Sequence, residues 1–320
     1  MTPAARQRRM LVLCLAAVYL IWGTSYLATR VGVLHLPPLL FGGARFLIAG
    51  SLLTGIAFWR GFRPAHLAGQ WQHLVVMSLL GIAICNGLQV WAMQWVPSGT
   101  SALLNASCAL WIVLFGLFGA RAHKPGRREM LGLAIGFIGT ALLVLPAAAP
   151  AHEGITQGGA APAGATPLLP QLAIVLACVV WSLGTIYMRN HALAIDLTAL
   201  MGLQMLLGGV WMVLAAALRG EPAAWNWSRP GIYALAYLVV FSACLAYMAY
   251  AWLARHATPA QTGTYSYVNP ALATVVGYVG LDERMGLMQV WGAAVILAGV
   301  LMINWPVAGP PPARAARPAP

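Results

Sequence analysis

The amino-acid sequence contains one pattern twice, and this duplication is the strongest limit on how the chain can fold. The stretch 259–304 has a counterpart 162 residues upstream, where Pro259 matches Pro97. After a small length difference in a connecting loop the offset becomes 160, and Gly292 matches Gly132. The sequence therefore predicts two copies of one unit of roughly 150 residues.

The duplication extends towards the start of each unit. Trp22 and Tyr26 in YLIWGTSYLATR correspond to Trp181 and Tyr187 in CVVWSLGTIYMRN. Further along, ARFLIAG (44–50) resembles LQMLLGG (203–209). The repeat thus covers whole units and is more than one shared motif.

The composition identifies the solvent of this chain as a lipid bilayer. Hydrophobic residues make up 61% of the sequence and charged residues only 8%, whereas soluble domains carry about a quarter charged residues. The net charge of +12 would suggest nucleic acid in a soluble protein, but these basic residues flank apolar runs, where they signal topology. The five cysteines lie inside apolar runs without metal or disulfide spacing, so we expect packing roles.

Breaks at proline, glycine and charge clusters divide the chain into apolar runs of about 20 residues, the length of a membrane-spanning helix. The predicted organisation is a first repeat at 1–146, a flexible periplasmic connector at 147–169, a second repeat at 170–306 and a disordered cytoplasmic tail at 307–320. The ten predicted spans are 10–30, 37–58, 73–95, 98–119, 127–146, 170–189, 196–218, 231–254, 259–281 and 286–306.

The distribution of lysine and arginine predicts the orientation. With the N-terminus in the cytoplasm, the cytoplasmic side collects 13 of these residues and the opposite side 4, as expected from the positive-inside rule. Five spans per unit is an odd number, so the second unit enters the membrane upside down relative to the first. The expected fold is an all-α integral membrane protein with ten transmembrane helices, arranged as an inverted repeat of two five-helix units.

Several motifs, in this order, resemble one known family. They are WGTSY, PPLLFGGARFLIAG, NGLQVWAMQWVPSGTSALL, WSLGTIYMR, TYSYVNPALATVVGYV and the GLDER…WGAAVILAGV ending. Together they are similar to the EamA-type carriers of the drug/metabolite transporter superfamily, and within it to the YedA-like inner-membrane transporters. The resemblance covers about residues 15–305.

The resemblance implies a ten-helix carrier with a central cavity in a bacterial inner membrane, usually an exporter of small metabolites or amino acids. The chain departs from the family in its fourth span, where Cys108 stands in a place that often holds proline, while the ninth span keeps Pro270. This leaves open whether the fourth helix is broken like the ninth.

Polar and aromatic side chains at helical spacing mark the candidate substrate site. In the ninth span Thr262, Tyr265, Ser266 and Asn269 share one face, beside the backbone carbonyl that Pro270 frees. The alternative is hydrogen bonding between packed spans, which such residues also provide. The predicted substrate-binding residues are Trp22, Tyr26, Asn86, Gln89, Asn105, Trp111, Trp181, Tyr247, Tyr265 and Asn269.

Arg45 is the one charged residue predicted to lie inside a span, and such a residue is a candidate for function. It stands eight residues from the start of the second span, about 12 Å at 1.5 Å per residue, within reach of the outer surface by snorkelling. The resemblance commonly places an arginine here whatever the substrate, so a structural role is favoured.

Of the functions open to this chain, a membrane carrier exporting small metabolites such as amino acids fits best, and export of aromatic or drug-like compounds is the alternative. A membrane-embedded enzyme or a receptor without transport would need a catalytic dyad or a soluble domain, and the sequence shows neither. The expected partners are a small-molecule substrate and the bilayer, without nucleic acid, metal or cofactor; a homodimer stays open.

The acidic residues bear on energy coupling. All six, together with the seven histidines, fall in predicted loops or at span ends. Proton-coupled carriers place a titrating group at mid-membrane, so an uncoupled carrier for neutral or zwitterionic solutes is expected. Glu283 is predicted to cap the tenth helix at its N-terminus.

The orientation can be tested by cysteine labelling. A cysteine introduced at Gly158, in the predicted periplasmic connector, should react with an impermeant thiol reagent in intact cells, because no membrane separates them. A cysteine at Arg314, in the predicted cytoplasmic tail, should react only after permeabilisation. The reverse pattern would contradict the orientation predicted from the charge count. Equal labelling at both positions would contradict an odd number of spans in each unit.

Overall fold

A computed structural model describes residues 3–116, 118, 126–144, 167–191, 193, 195–257, 264–283 and 285–304. Within these ranges the chain is helical and forms no strand. Short 3-10 turns occupy Pro64–Leu67 and Glu221–Ala224. The long helices are α1 (Pro3–His35), α2 (Pro38–Trp59), α3 (Trp71–Ala92), α4 (Ser98–Gly116), α5 (Arg127–Val144), α6 (Leu168–Asn190), α7 (Leu197–Leu218), α8 (Arg229–Leu253), α9 (Tyr265–Leu281) and α10 (Leu287–Asn304).

Seven of the described helices, α1 to α4 and α6 to α8, are long and apolar enough to cross a membrane. Parts of α9 and α10, Val268–Leu281 and Leu287–Ile303, form shorter apolar helices. Helix α5 belongs to neither group, since its first turn carries Arg127, Arg128 and Glu129. The prediction of an all-α membrane protein is confirmed at this level.

The helix bounds differ from the predicted spans at several ends. Helix α1 runs to His35, five residues past the predicted end at 30, because no proline interrupts the run before Pro37. Helix α6 begins at Leu168, inside the predicted connector, with Pro167 as its N-cap. The rest of the connector, 147–166, and the tail, 307–320, lie outside the described residues.

Helices α2 and α7 cross at close range because both carry glycines at the contact. A Cβ added to Gly43 would lie 3.2 Å from the carbonyl oxygen of Gly209, and one added to Gly50 would lie 2.9 Å from that of Gly202. In the repeat alignment Gly43 corresponds to Gly202 and Gly50 to Gly209. A symmetry operation that exchanges the two halves therefore places the Gly43–Gly209 contact on the Gly50–Gly202 contact.

Helices α5 and α10 repeat this arrangement. A Cβ on Gly132 would lie 2.9 Å from the oxygen of Gly299, and one on Gly292 would lie 3.2 Å from that of Gly139. Gly132 corresponds to Gly292 and Gly139 to Gly299, so these contacts also exchange when the halves exchange. Small residues allow such approach between membrane helices, where packing drives association.

The third helix of each half contains a π-helical segment at a matching place. In α3 it covers Leu79–Ile84, and in α8 it covers Leu238–Ala246. A π-segment lengthens the hydrogen-bonded turn from i→i+4 to i→i+5, which rotates the residues after it relative to those before, and such segments are frequent at functional sites. The segments therefore set which side chains of α3 and α8 face inwards.

Helix α4 is interrupted at Ser107 although no proline is present. The Ser107 amide donates to the carbonyl of Leu104 at 3.1 Å, and its hydroxyl donates to the same oxygen at 2.6 Å. The hydroxyl of Ser182 on α6 lies 3.1 Å from the carbonyl oxygen of Cys108. Side-chain hydroxyls thus satisfy carbonyls around the break, and the fourth helix is interrupted next to the position where the ninth has Pro270.

The glycine contacts predict a stability difference between two substitutions on one helix. Gly50→Ala places its methyl group 2.4 Å from the backbone nitrogen of Leu206, so α2 and α7 must separate, at a cost of about 1–3 kcal/mol. Gly55→Ala on α2 meets nothing within 4 Å and should gain about 0.5–1 kcal/mol from helix propensity. Thermal unfolding of the detergent-solubilised variants measures both, and equal Tm values would refute the close crossing.

Candidate functional site

A cavity of about 130 Å³ lies at the junction of the two halves. Helices α1 to α4 of the first half and α6, α8 and α9 of the second supply its walls. Nine of the ten predicted site residues line it, namely Trp22, Tyr26, Asn86, Gln89, Asn105, Trp181, Tyr247, Tyr265 and Asn269. The fold thus brings together side chains from seven helices that are distant in sequence.

The tenth predicted residue, Trp111, is not part of the cavity wall. Its ring packs edge-on against Phe137 of α5 at 4.7 Å between centroids and stacks with Phe115 at 5.9 Å. The interruption at Ser107 breaks the regular helical spacing between Trp111 and the first part of α4. Trp111 therefore packs between α4 and α5.

An aromatic cluster forms one part of the wall. The ring of Trp22 on α1 lies 5.3 Å from Tyr247 and 5.1 Å from Tyr250, both on α8, and 5.4 Å from Tyr265 on α9. Edge-to-face pairs at such distances add about 0.5–1.5 kcal/mol beyond the area they bury. The cluster fixes the Trp22 indole where three helices meet and gives the cavity an aromatic surface.

Amide side chains supply polar groups to the wall. Asn86 donates to the carbonyl of Ile82 at 3.0 Å and Asn105 to that of Ser101 at 2.9 Å, each within its own helix. The Oδ1 of Asn269, a residue only 4% exposed, is buried and accepts no hydrogen bond from any described residue. Buried polar atoms without a partner are uncommon, so Asn269 is a free acceptor on the cavity wall.

Arg45 lines the cavity. The sequence suggested that its side chain could reach the outer surface, and it does not. Arg45 is only 8% exposed. Its Nη2 donates a hydrogen bond to the hydroxyl of Ser242 at 2.9 Å, and its Cζ lies 4.7 Å from the ring centroid of Phe46. The Nε is buried and has no hydrogen-bond partner among the described residues. The expectation of snorkelling was wrong because the side chain projects into the junction, where Ser242 holds it.

Glu283 caps a different helix from the one predicted. Its carboxylate accepts from the amide of Ser98 at 2.8 Å and from the Ser98 hydroxyl at 2.6 Å, so it caps the N-terminus of α4 and not that of α10. It also lies 3.8 Å from Nε of Arg30, whose guanidinium donates to the carbonyl of Met93. The turn after α9 brings Glu283 to the start of α4. A carboxylate is favoured at any helix N-terminus, so this preference does not predict which N-terminus Glu283 can reach.

The cavity wall also contains residues outside the ten predicted site residues. Thr29 is buried and donates its hydroxyl to the carbonyl of Ser25 at 2.7 Å, and both residues line the cavity. Ser242 lies within the π-segment of α8, and no sequence pattern signals that segment. The sequence places Thr29 on the same helical face as Trp22 and Tyr26, but only the tertiary structure shows Ser242 beside Arg45.

The chain was compared with known proteins. The EamA-like transporter family matches it twice, at residues 9–145 and 168–305. The uncharacterized inner membrane transporter YedA of Escherichia coli (strain K12) is 32% identical over 303 residues, which cover 93% of this chain and 92% of YedA. The uncharacterized transporter YvbV of Bacillus subtilis (strain 168) is 26% identical, over 91% of this chain and 90% of its own.

A solved crystal structure has a similar fold. It covers 92% of this chain and 96% of its own with a TM-score of 0.64, at 22% sequence identity. The two family matches fall on the two halves that the internal duplication defines. The chain belongs to the EamA-like transporter family.

Proposed function

We propose that the ten helices form an inverted repeat of two five-helix units, with both termini in the cytoplasm of a bacterial inner membrane. The reciprocal glycine contacts of α2 with α7 and of α5 with α10 support this arrangement, because a two-fold axis between the units produces such exchange. The paired π-segments of α3 and α8 add a second sign of the same relation. Carriers built from inverted repeats bind substrate at the repeat interface near the bilayer midplane.

We infer that the protein exports small metabolites such as amino acids by alternating access. The observation that carries this proposal is the cavity itself, which lies between the halves and combines amide and aromatic side chains from six helices. Small-molecule sites are concave and largely apolar, with a few polar groups that fix orientation. Rocking of one half against the other would expose such a site to each side in turn.

The alternative substrate class is aromatic or drug-like compounds. The cluster of Trp22 with Tyr247, Tyr250 and Tyr265 favours it, since aromatic walls bind flat apolar solutes well. The free acceptor on Asn269 and the guanidinium of Arg45 favour compact polar metabolites instead. Measuring the transport rates of both solute classes with one protein preparation would decide between them.

In the proposed orientation the contacts of Glu283 lie on the outer side. This carboxylate joins the loop after α9 to Ser98 on α4 and Arg30 on α1. Three segments around the cavity are thereby held together at one end. Outward opening would have to break these contacts and inward opening would not.

Two substitutions test the site. Asn269→Ala removes the free acceptor and Trp22→Ala the centre of the aromatic cluster, so each should lower transport about tenfold or more while membrane insertion stays normal. The matched controls are Asn190→Ala and Trp59→Ala, since Asn190 is exposed and Trp59 is 88% exposed. Export of labelled metabolites from vesicles, with protein quantified in each, is the measurement. Normal transport by both site variants would assign these residues to packing.

Energy coupling gives a further test. Of the acidic residues that the structure describes, none lines the cavity, so an imposed pH difference alone should not drive accumulation of substrate in proteoliposomes. Glu283→Gln should leave this result unchanged, since the amide oxygen can still accept from Ser98. Accumulation driven by pH in the wild type and abolished in Glu283→Gln would make Glu283 a proton-coupling residue and refute the uncoupled carrier.

A further inference from the structure

The guanidinium of Arg45 is a buried charge that the protein satisfies only in part. Its one hydrogen bond among the described residues goes to the neutral hydroxyl of Ser242, and its Nε has no partner. Removing a charge from water is costly unless the charge is paired and hydrogen-bonded. The site therefore holds unused capacity to bind an anion.

No described acidic residue forms an ion pair with Arg45, and the acids close to the bundle are engaged elsewhere. Glu221 accepts from the amide of Leu40 at the start of α2. Glu283 accepts from Ser98. Among the described residues, the polar groups that share the cavity wall with this positive charge are amides, hydroxyls and thiols, and none is an acid.

Arg30 shows how this fold treats an arginine with a structural role. Its side chain is 17% exposed, lies 3.8 Å from Oε1 of Glu283 and donates to the backbone carbonyl of Met93. It thereby has both a counter-charge and a carbonyl acceptor. Arg45 is more deeply buried and has neither, so packing alone does not explain it.

The repeat supplies a second comparison. The position that corresponds to Arg45 in the second half is Gln204, a neutral residue whose Nε2 donates to the carbonyl of Met77 at 2.9 Å. Gln204 is satisfied by the protein and does not line the cavity. The cationic group is therefore a feature of one half only, although the helices that carry the two residues cross symmetrically.

We propose that Arg45 binds the carboxylate of the transported solute, so that the carrier selects compounds bearing a carboxylate over amines and neutral amides of the same shape. Guanidinium and carboxylate form paired, charge-assisted hydrogen bonds, the strongest class in proteins, and guanidinium is well suited to them. Ser242 orients the guanidinium, and Nε is left to the solute. This inference rests on the proposed carrier function.

The experiment uses matched solutes that differ only in their charged groups. On an isobutyl scaffold they are leucine, 4-methylpentanoate, isoamylamine and leucinamide, and on a benzyl scaffold phenylalanine, 3-phenylpropanoate, phenethylamine and phenylalaninamide. Radiolabelled solutes are followed across proteoliposomes containing the full chain. We expect carboxylate-bearing members of at least one set to move at least tenfold faster than the amine and the amide.

Comparing the two carboxylate-bearing solutes of each set shows whether the transported solute is a zwitterion or an organic anion. Faster movement of the amino acid identifies a zwitterion, and equal or faster movement of the simple acid identifies an organic anion. Amines or amides that move as fast as the carboxylates would overturn the inference while leaving the carrier function intact. If no solute moves, the proposed function fails for both classes and the inference falls with it.

Variants tie the selectivity to this residue. Arg45→Gln should lower carboxylate transport at least tenfold, Arg45→Lys should retain part of it, and Arg60→Gln, the same change at the exposed end of α2, should leave it unchanged. Unaltered carboxylate transport by Arg45→Gln would refute the role of Arg45.

Stability provides a readout that does not depend on transport. Because the unliganded guanidinium is buried without a counter-charge, Arg45→Met should raise the Tm of the ligand-free protein. The transported carboxylate should raise the Tm of the wild type and leave that of Arg45→Met unchanged. A large fall in Tm for ligand-free Arg45→Met, with an undiminished ligand shift, would assign Arg45 to packing.

Discussion

The structure depends on two close helix crossings, α2 with α7 and α5 with α10, in which glycine backbones lie against each other. In a bilayer the hydrophobic effect does not drive helices together, so the fit of their surfaces must do so. Each crossing joins one half of the chain to the other. The remaining helices, α1, α3, α4, α6, α8 and α9, surround the junction, and the cavity lies between them and Arg45 of α2.

Backbone satisfaction is the second constraint on the cavity. Inside a membrane every amide and carbonyl needs a partner, yet helices around this cavity depart from regular α-geometry at three places. The π-segments of α3 and α8 keep their bonds with longer turns, and the carbonyls near Ser107 accept from hydroxyls. These departures lie in helices that line the cavity, where neighbouring side chains can compensate for them.

Arg30 and Arg45 differ in what the fold provides for them. Arg30 is neutralised by Glu283 and so ties α1 to the loop after α9 and to the start of α4. Arg45 is left with a serine hydroxyl and an unused Nε. An unsatisfied buried polar group costs about 1–3 kcal/mol, and more when charged. Asn269 Oδ1 adds a second unmet group on the same wall, so two buried polar atoms without a partner among the described residues lie where a solute would bind.

The composition and the length of the apolar runs determined the helical membrane class of this protein, and internal similarity determined the duplication. Helical spacing identified nine of the cavity residues, because run length and spacing depend on local sequence alone. The tertiary structure decided the orientation of Trp111, which packs against Phe137 of α5 beyond the interruption at Ser107. It also decided the helix that Glu283 caps and the inward position of Arg45. Those outcomes depend on which helices are neighbours, and a single sequence does not record that.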